Sequence, residues 1–414
     1  MSRCVVVGSG AREHALAWAL SNSADVIVTP GNDGIAAHGI ACTQSSALEL
    51  DADLFVIGPE QPLVEGLADQ LREQGKTVVG PGLGGARLEG SKAFMKEFLD
   101  AAGVPTARFG VFSDEAKAIE FLATMEAPYV VKTDGLAAGK GVLVTSDFGD
   151  ACADIRDKLS GAAFGDAGTT VIIEEGLDGE ECSLLVLCDG ATAVALVPAQ
   201  DFKRVGDANQ GANTGGMGAY APMLAMTPAL VGRVMDEIVA PTVRELRARA
   251  IDFRGVLYAG VMLTSRGPKL LEYNVRFGDP ETEVLVPLYG RSLYELLLRA
   301  GEGRLESTPA PATGCAVTVV LASHGYPQSS RAGDAIDGLG EDGQLAQPVE
   351  GGTIFHAGSK RNEDGHFVTS GGRVLAVTGV GPSLAVARNR AYQGASLVTF
   401  EGRVMRTDIA LAVV

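Results

Sequence analysis

The segment VVKTDGLAAGKGV, residues 130–142, runs a strand-like stretch into a loop holding Gly135, Gly139 and Gly141, with Lys132 before it and Lys140 within it. Backbone N–H groups laid bare by glycine, joined by two ammonium groups, supply the donors that wrap a polyphosphate. The spacing is not that of a P-loop, because Gly141 follows Lys140 where Ser or Thr is required. An ordinary hairpin with solvent-facing lysines has the same composition.

Three more segments carry chemistry. In VIIEEGLDGEEC, residues 171–182, an apolar strand ends in Glu174, Glu175, Glu180 and Glu181. A chain leaving a strand this way presents alternating donors and acceptors to a purine edge, and a following carboxylate can accept from ribose hydroxyls; a solvated acidic loop is the alternative. In KLLEYNVRFGDPETE, residues 269–283, side chains two apart on a strand share a face, so Glu272, Asn274 and Arg276 project together. A carboxylate and an amide oxygen form a hard-oxygen pair suited to Mg²⁺, and Arg276 beside them suits a phosphoryl group; a polar outer strand face would look alike. In QDFKRVGDANQGANTGGMGAY, residues 200–220, Asp201, Lys203 and Arg204 precede a glycine-rich loop whose backbone can approach an anion, or which is simply a surface loop. Near the start, GSGAREH offers Gly10 and Arg12 at a helix N-terminus as a phosphate anchor. Its third glycine is missing, which argues against a dinucleotide fingerprint. His14 is a candidate base or a packing residue.

Elements must position these groups. Apolar runs at 4–7, 26–29, 54–57 and 77–79 read as strands, each ending in a glycine loop, with helices between them. That alternation predicts a parallel α/β sheet with its loops gathered at the carboxyl edge. The segment at 80–90 is a boundary. A helix over 92–102 follows, with Ser91 as N-cap and Gly103 and Pro105 as its stop. From 108 to about 182, short strands alternate with helices in a small α+β lobe. Strands at 184–187, 194–198 and 256–263 flank a long helix over 227–249. The stretch from Cys315 is strand-rich. The expected division is 1–90, 91–310 and 311–414.

Formal charge is −17 from 34 basic and 51 acidic side chains. Such a surface repels nucleic-acid phosphates and anionic lipid, so a phosphorylated ligand must be held by local cations and backbone N–H groups. Six cysteines without a C-x-x-C pair, several inside apolar runs, read as free thiols of a cytoplasmic protein. No apolar run approaches the roughly 20 residues that span a bilayer.

In order along the chain, GAREHALAW, GPEQPLV, LEGSKAF, KTDGLAAGKGV, EEGLDGEE, KRVGD, NTGGMGAY and NVRFGDPETE resemble the signature blocks of the phosphoribosylamine–glycine ligase family (glycinamide ribonucleotide synthetases), ATP-grasp enzymes of purine synthesis. The resemblance spans residues 3 to about 375. It implies a Rossmann-like N-terminal α/β domain, an ATP-grasp domain with a lid lobe, and a β-rich C-terminal domain, in a monomer using ATP, glycine, 5-phosphoribosylamine and Mg²⁺ or Mn²⁺. By motif position Lys92, Lys132 and the 135–141 loop match phosphate contacts. Glu174, Glu175 and Leu177 match the adenine stretch, and Glu181 the ribose carboxylate. Glu272 and Asn274 match metal ligands. Gly10, Arg12 and Glu60 match the phosphoribosylamine side, Asp201, Lys203 and Arg276 fall near glycine and an acyl-phosphate, and Asn32, Asn213, Gly215 and Gly216 are further expected substrate contacts. Lys132, Arg276 and Asp201 are thus the expected catalytic residues.

Phe202 stands where the family usually has His, Thr133 where it often has Ala, and Ala11 where it often has Gly. The rival readings are an ATP-grasp ligase acting on bicarbonate, a non-catalytic nucleotide sensor and a NAD-linked oxidoreductase.

Overall fold

The computed structural model describes residues 2–135, 141–161, 170–306 and 312–414. Strands β1 (Arg3–Gly8), β2 (Asp25–Pro30), β3 (Ala41–Cys42), β4 (Leu54–Ile57) and β5 (Val78–Val79) form a parallel sheet in the order β3-β2-β1-β4-β5. The apolar runs of β1 and β4 are buried on both faces, as strands covered on two sides must be. The loops after β1, β2, β4 and β5 share the carboxyl edge, as the parallel arrangement requires.

The helix over Lys92–Ala102 begins where the Ser91 hydroxyl accepts from the Phe94 N–H (3.1 Å) and ends at left-handed Gly103. Strands β6 (Phe109–Phe112), β7 (Tyr129–Thr133), β8 (Val142–Thr145) and β9 (Val171–Glu175) then form an antiparallel sheet, ordered β6-β9-β7-β8. Helices Glu115–Leu122 and Phe148–Leu159 cover it, and Leu122, Val131, Ile155 and Ile173 form a small core of its own.

The chain continues through β10 (Glu180–Asp189), β11 (Ala193–Ala195), β12 (Gln200–Asp201), β13 (Arg204–Gly206), β14 (Gln210–Asn213), β15 (Gly218–Ala221), β16 (Arg254–Thr264) and β17 (Gly267–Asn274). Strands β11-β10-β16-β17 make the central antiparallel sheet. The helix expected over 227–249 is present from Pro228 to Ala248 but widens into a π turn at Met235–Val239. Pro241 follows directly and has no N–H to return to the preceding turn, the ordinary cause of such a widening.

The last strands are β18 (Cys315–Ala322), β19 (Gly352–His356), β20 (Ser359–Arg361), β21 (Phe367–Thr369) and β22 (Arg373–Gly381). Their sheet, β12-β15-β18-β22-β19, takes two strands from the 200–221 segment, so a cut at 310 does not separate hydrogen-bonded units. A helix at Leu384–Leu397 also belongs here, where the sequence reading has only strands. It packs through Ala387, Ala391 and Ala395. A Cβ on Gly379 would stand 2.3 Å from the Ala387 carbonyl, so helix and strand backbones nearly touch. That small-residue period of four was the available signal. All six cysteines are free thiols, and no helix among the described residues is long and apolar enough to cross a membrane.

Candidate active site

Lys132 pairs with Ile172 across β7 and β9, and Val130 pairs with Glu174. Lys132 and Glu174 are therefore diagonal neighbours on one face, while Val131 and Ile173 fill the lobe's core on the other. Lys132 Nζ lies 2.9 Å from Glu174 Oε1, and Lys96 Nζ, from the Lys92–Ala102 helix, lies 3.0 Å from Oε2. All three side chains are buried. Burial alone would strip the Lys132 proton, but Glu174 and Glu272 outweigh it and hold that ammonium above its ordinary value. Burial brings Lys96 down to about 8 despite Glu174. Lys92 reaches the base of the glycine loop, donating to the Gly135 carbonyl at 2.8 Å. Asp134 ties the two together by accepting from Ser91 and from the Ala93 N–H. Gly139 and Lys140, expected at the phosphates, lie outside the described residues; the Gly141 carbonyl accepts from the Thr133 N–H at 2.9 Å.

Glu272 and Asn274 on β17 are half-buried while Tyr273 between them is buried, and the alternation carries on past the end of the strand, at Asn274, to buried Val275 and half-buried Arg276. Burial raises Glu272, but Lys203, Lys132, Lys92 and Arg276 surround it and keep it below the ordinary carboxylate range. Among the described residues no donor takes its oxygens at hydrogen-bond distance. The neighbouring Asn274 Oδ1 accepts from Arg276 Nη2 at 3.2 Å. No group of three or more His, Cys, Asp or Glu side chains among the described residues is placed to hold a metal ion. An ionised carboxylate beside an amide oxygen instead fits a Mg²⁺-type ion that draws its other ligands from phosphate and water.

The third wall carries Lys203, which ion-pairs with Glu181 and also faces Asp201 and Glu272. Burial pushes the Asp201 carboxyl up to about 7 against the pull of Lys203. Behind it the buried Glu281 accepts from Tyr258 (2.6 Å) and Ser183 (3.2 Å). The three distant stretches thus meet around one cleft between the lobe and the central sheet.

Several roles differ from the sequence reading. The backbone N–H groups of Glu175 and Gly176 are already spent on the Arg108 and Pro128 carbonyls (3.0 Å each), and Glu174 lies inside the sheet. Leu177, just beyond β9, is the first position whose backbone is free of the strand ladder, and Glu174 acts through its side chain. Glu175 accepts from Lys269 at 2.7 Å. Arg276 is not free for a phosphoryl group: it pairs with Glu89 (2.9 Å) and Glu60 (3.3 Å). That fixes the helix Leu83–Gly90 and the loop after β4 against the segment that follows β17. Arg12 likewise contacts Glu13 (2.6 Å) and the Phe277 carbonyl (3.0 Å). Asn32 caps a short helix through Ile35 N–H and donates to the Ser9 and His356 carbonyls. His14 is fully buried between His38 (3.0 Å) and the His356 N–H (2.9 Å), a joint between the N- and C-terminal parts and no base.

Sequence reasoning missed Lys96, Glu89, Glu13 and Glu281. Glu13 accepts from the Gly10 N–H (2.6 Å), and a Cβ on Gly58 would fall 2.0 Å from its Oε1. Side-chain-free loops after β1 and β4 are what let that carboxylate in. Asn213 ends β14 opposite Arg204, and Gly215 and Gly216 follow. Gly216 has φ +112°, with no room for a Cβ against Pro280 (2.3 Å).

Phe202, where the family usually has His, stacks beneath Arg406 (4.8 Å from its ring centre) and packs on Tyr220. Phe202→His is expected to lower stability by about 1 kcal/mol through the lost stacking, with turnover unchanged. Denaturation midpoints beside steady-state rates check this; a tenfold change in rate at equal stability would give position 202 a part in the chemistry.

An antiparallel lobe and an antiparallel central sheet closing on a cleft of lysines and carboxylates, behind a parallel α/β sheet, define an ATP-grasp protein. Family profiles match in succession along the chain: the phosphoribosylglycinamide synthetase N domain over 2–89, its ATP-grasp (A) domain over 90–282 and its C domain over 316–412. The chain belongs to that family and is a ligase. It is 45% identical over 419 residues to the phosphoribosylamine–glycine ligase of Caulobacter vibrioides, covering 98% of this chain and 97% of that one. The crystal structure of the phosphoribosylamine–glycine ligase of Thermotoga maritima superposes with TM-score 0.86 at 35% identity, covering 99% and 100%. The biotin carboxylase domain of Hydrogenobacter thermophilus 2-oxoglutarate carboxylase shares the fold at 18% identity and TM-score 0.72, covering 98% and 91%.

Proposed function

We propose that this chain joins glycine to 5-phosphoribosylamine, forming glycinamide ribonucleotide, ADP and phosphate by way of glycyl phosphate. The observation that carries the reading is the convergence of Lys132–Glu174, Lys203–Asp201 and Glu272 on one cleft. A carboxylate oxygen of glycine attacks the γ-phosphorus of ATP in line, and the bond to the β–γ bridging oxygen breaks to release ADP. The nitrogen of phosphoribosylamine then attacks the acyl carbon, phosphate leaves with the former carboxylate oxygen, and the nitrogen gives its extra proton to the departing phosphate. Glu272 and Asn274 would hold Mg²⁺ or Mn²⁺, which when bound would neutralise charge on the phosphates. Lys132, held by Glu174, and Lys92 supply fixed positive charge to the same oxygens. Arg276 is a positioning residue, acting through Glu60 and Glu89. Asp201 accepts the glycine ammonium group, and Lys203 steadies the acyl-phosphate. No side chain forms a covalent bond to substrate; rate comes from alignment and preset electrostatics.

The test is ADP release with glycine and phosphoribosylamine omitted in turn. Dependence on both is expected. Turnover with bicarbonate in place of glycine would favour a carboxylating ligase, and ATP binding without turnover a sensor. The same reading makes the protein a cytoplasmic monomer, which size-exclusion chromatography with light scattering checks in part.

A pH dependence follows from Asp201. Its carboxyl titrates at about 7 in the free protein and must be ionised to take an ammonium group. The kcat/KM for glycine should therefore fall about tenfold per pH unit below 7 and level off above it, since this ratio reports the free enzyme. In Asp201→Asn that acid limb should vanish along with most glycine affinity. A flat profile in the unsubstituted protein between pH 6 and 8 would take Asp201 out of this role.

A further inference from the structure

The amine substrate of the proposed reaction carries a phosphate dianion, and the cations on the expected side of the cleft are engaged. Arg12 is buried, with Nε on Glu13 and Nη1 on the Phe277 carbonyl, and Arg276 divides its nitrogens among Glu60, Glu89, Asn274 and the Phe277 carbonyl. Arg373, the first residue of β22, differs. It reaches out of the C-terminal sheet into the loops after β14 and β17 with a single nitrogen. Nη1 donates to the Gly215 carbonyl at 2.6 Å and the Asp279 carbonyl at 3.0 Å, and lies 3.0 Å from Asp279 Oδ1. Among the described residues nothing accepts from its Nε or Nη2, and 22% of the side chain stays open.

The surroundings are built around that free edge. A Cβ on Gly215 would stand 3.2 Å from Nη2, so glycine keeps the guanidinium face uncovered. Tyr326, also of the C-terminal part, accepts from the Gly215 N–H at 3.0 Å and fixes the loop. Asp279 faces the β1 loop, since a Cβ on Gly10 would lie 3.9 Å from its Oδ2. A half-satisfied guanidinium anchored by its other arm, beside two glycine loops and a carboxylate able to accept from ribose hydroxyls, is a fork awaiting phosphate oxygens.

We propose that Arg373 binds the 5-phosphate of phosphoribosylamine through Nε and Nη2, so that the C-terminal domain completes the substrate site and Asp279 orients both the arginine and the ribose. The assignment rests on the glycine-ligase reading, and its test separates the two. Ribose 5-phosphate is titrated calorimetrically into the full-length protein and into Arg373→Lys and Arg373→Met, alongside substrate KM values. Arg373→Lys should weaken ribose 5-phosphate binding about 10-fold and Arg373→Met about 100-fold, as loss of a charged fork implies. The KM for phosphoribosylamine should rise in parallel while those for ATP and glycine move less than threefold. Unchanged ribose 5-phosphate affinity overturns the proposal, as does an equal rise in all three KM values, the mark of a scaffold alone. Should both variants misfold, phenylglyoxal modification of the unsubstituted protein decides: ribose 5-phosphate should shield Arg373, and modification at an unchanged rate overturns the proposal. Failure of unsubstituted protein to release ADP with both substrates present refutes instead the reaction on which the assignment rests.

Discussion

Replacing Glu174 by Leu is expected to destabilise the ligand-free protein by about 3–5 kcal/mol, since one partner of a buried charge cluster is removed and the others stay. Two ammonium groups, Lys96 at 0% and Lys132 at 7% exposure, lose their shared carboxylate. Among the described residues the Thr106 hydroxyl, at 2.7 Å, and the Phe109 ring, 5.8 Å away, remain for Lys96. Such a loss is a large part of the roughly 5–15 kcal/mol by which proteins are stable, so urea denaturation will register it. The double variant Lys96→Met, Glu174→Leu should recover much of the deficit, because an apolar pair of similar volume carries no desolvation cost. A single-variant loss under about 1 kcal/mol would mean that water reaches the cluster and that the carboxylate does not hold Lys132 in place. The sign of the acid response follows too. Burial raises the Glu174 carboxyl, but Lys132 and Lys96 outweigh it and bring it below its ordinary value. Its stabilisation is therefore present above the unfolded value of about 4.3 and is lost as pH falls through the folded one. Glu174→Leu should lack that portion of the acid sensitivity.

Glu272→Ala is expected to lower kcat/KM on the order of 10²-fold or more, about 2.7 kcal/mol of transition-state stabilisation. Four cations, Lys203, Lys132, Lys92 and Arg276, face this carboxylate. Without it they repel one another, and the hard-oxygen pair is reduced to the Asn274 amide. The Mg²⁺ concentration giving half-maximal rate should rise together with the fall in rate, whereas ATP should still bind, drawn by the unscreened lysines. Turnover near that of the unsubstituted protein, or an unshifted Mg²⁺ dependence, would remove Glu272 from metal binding.

Much of the architecture was legible because local rules and tertiary environment agree. The Lys92–Ala102 helix carries its stop and start in Ser91 and Gly103, and the structure uses both. The four apolar runs of the N-terminal region read as strands, and all four are strands of the parallel sheet. Period-two alternation places Glu272, Asn274 and Arg276 on one face, although β17 itself ends at Asn274. Where legibility failed, the deciding contact was remote in sequence. Lys96 reads as one more polar position on a helix, and only the arrival of β9 beside that helix makes it a buried partner of Glu174. Glu89 sits in a glycine-rich boundary segment, and its work is visible only once Arg276 is seen against it. The Leu384–Leu397 helix was obscured because beyond Leu384 its buried face is alanine and glycine, a period written in small residues with little apolar bulk.

The sequence by itself determined the residue types, the order of the motifs and the strand and helix phases, because these depend on spacing along a few turns or a few residues of strand. The tertiary structure alone decided which charges are spent and which are available. It turned Arg276 and Arg12 into braces, closed His14 into a domain joint, and left Arg373 with an open edge. Charge pairing depends on distances of about 3 Å between groups hundreds of residues apart, and no local pattern encodes such a distance.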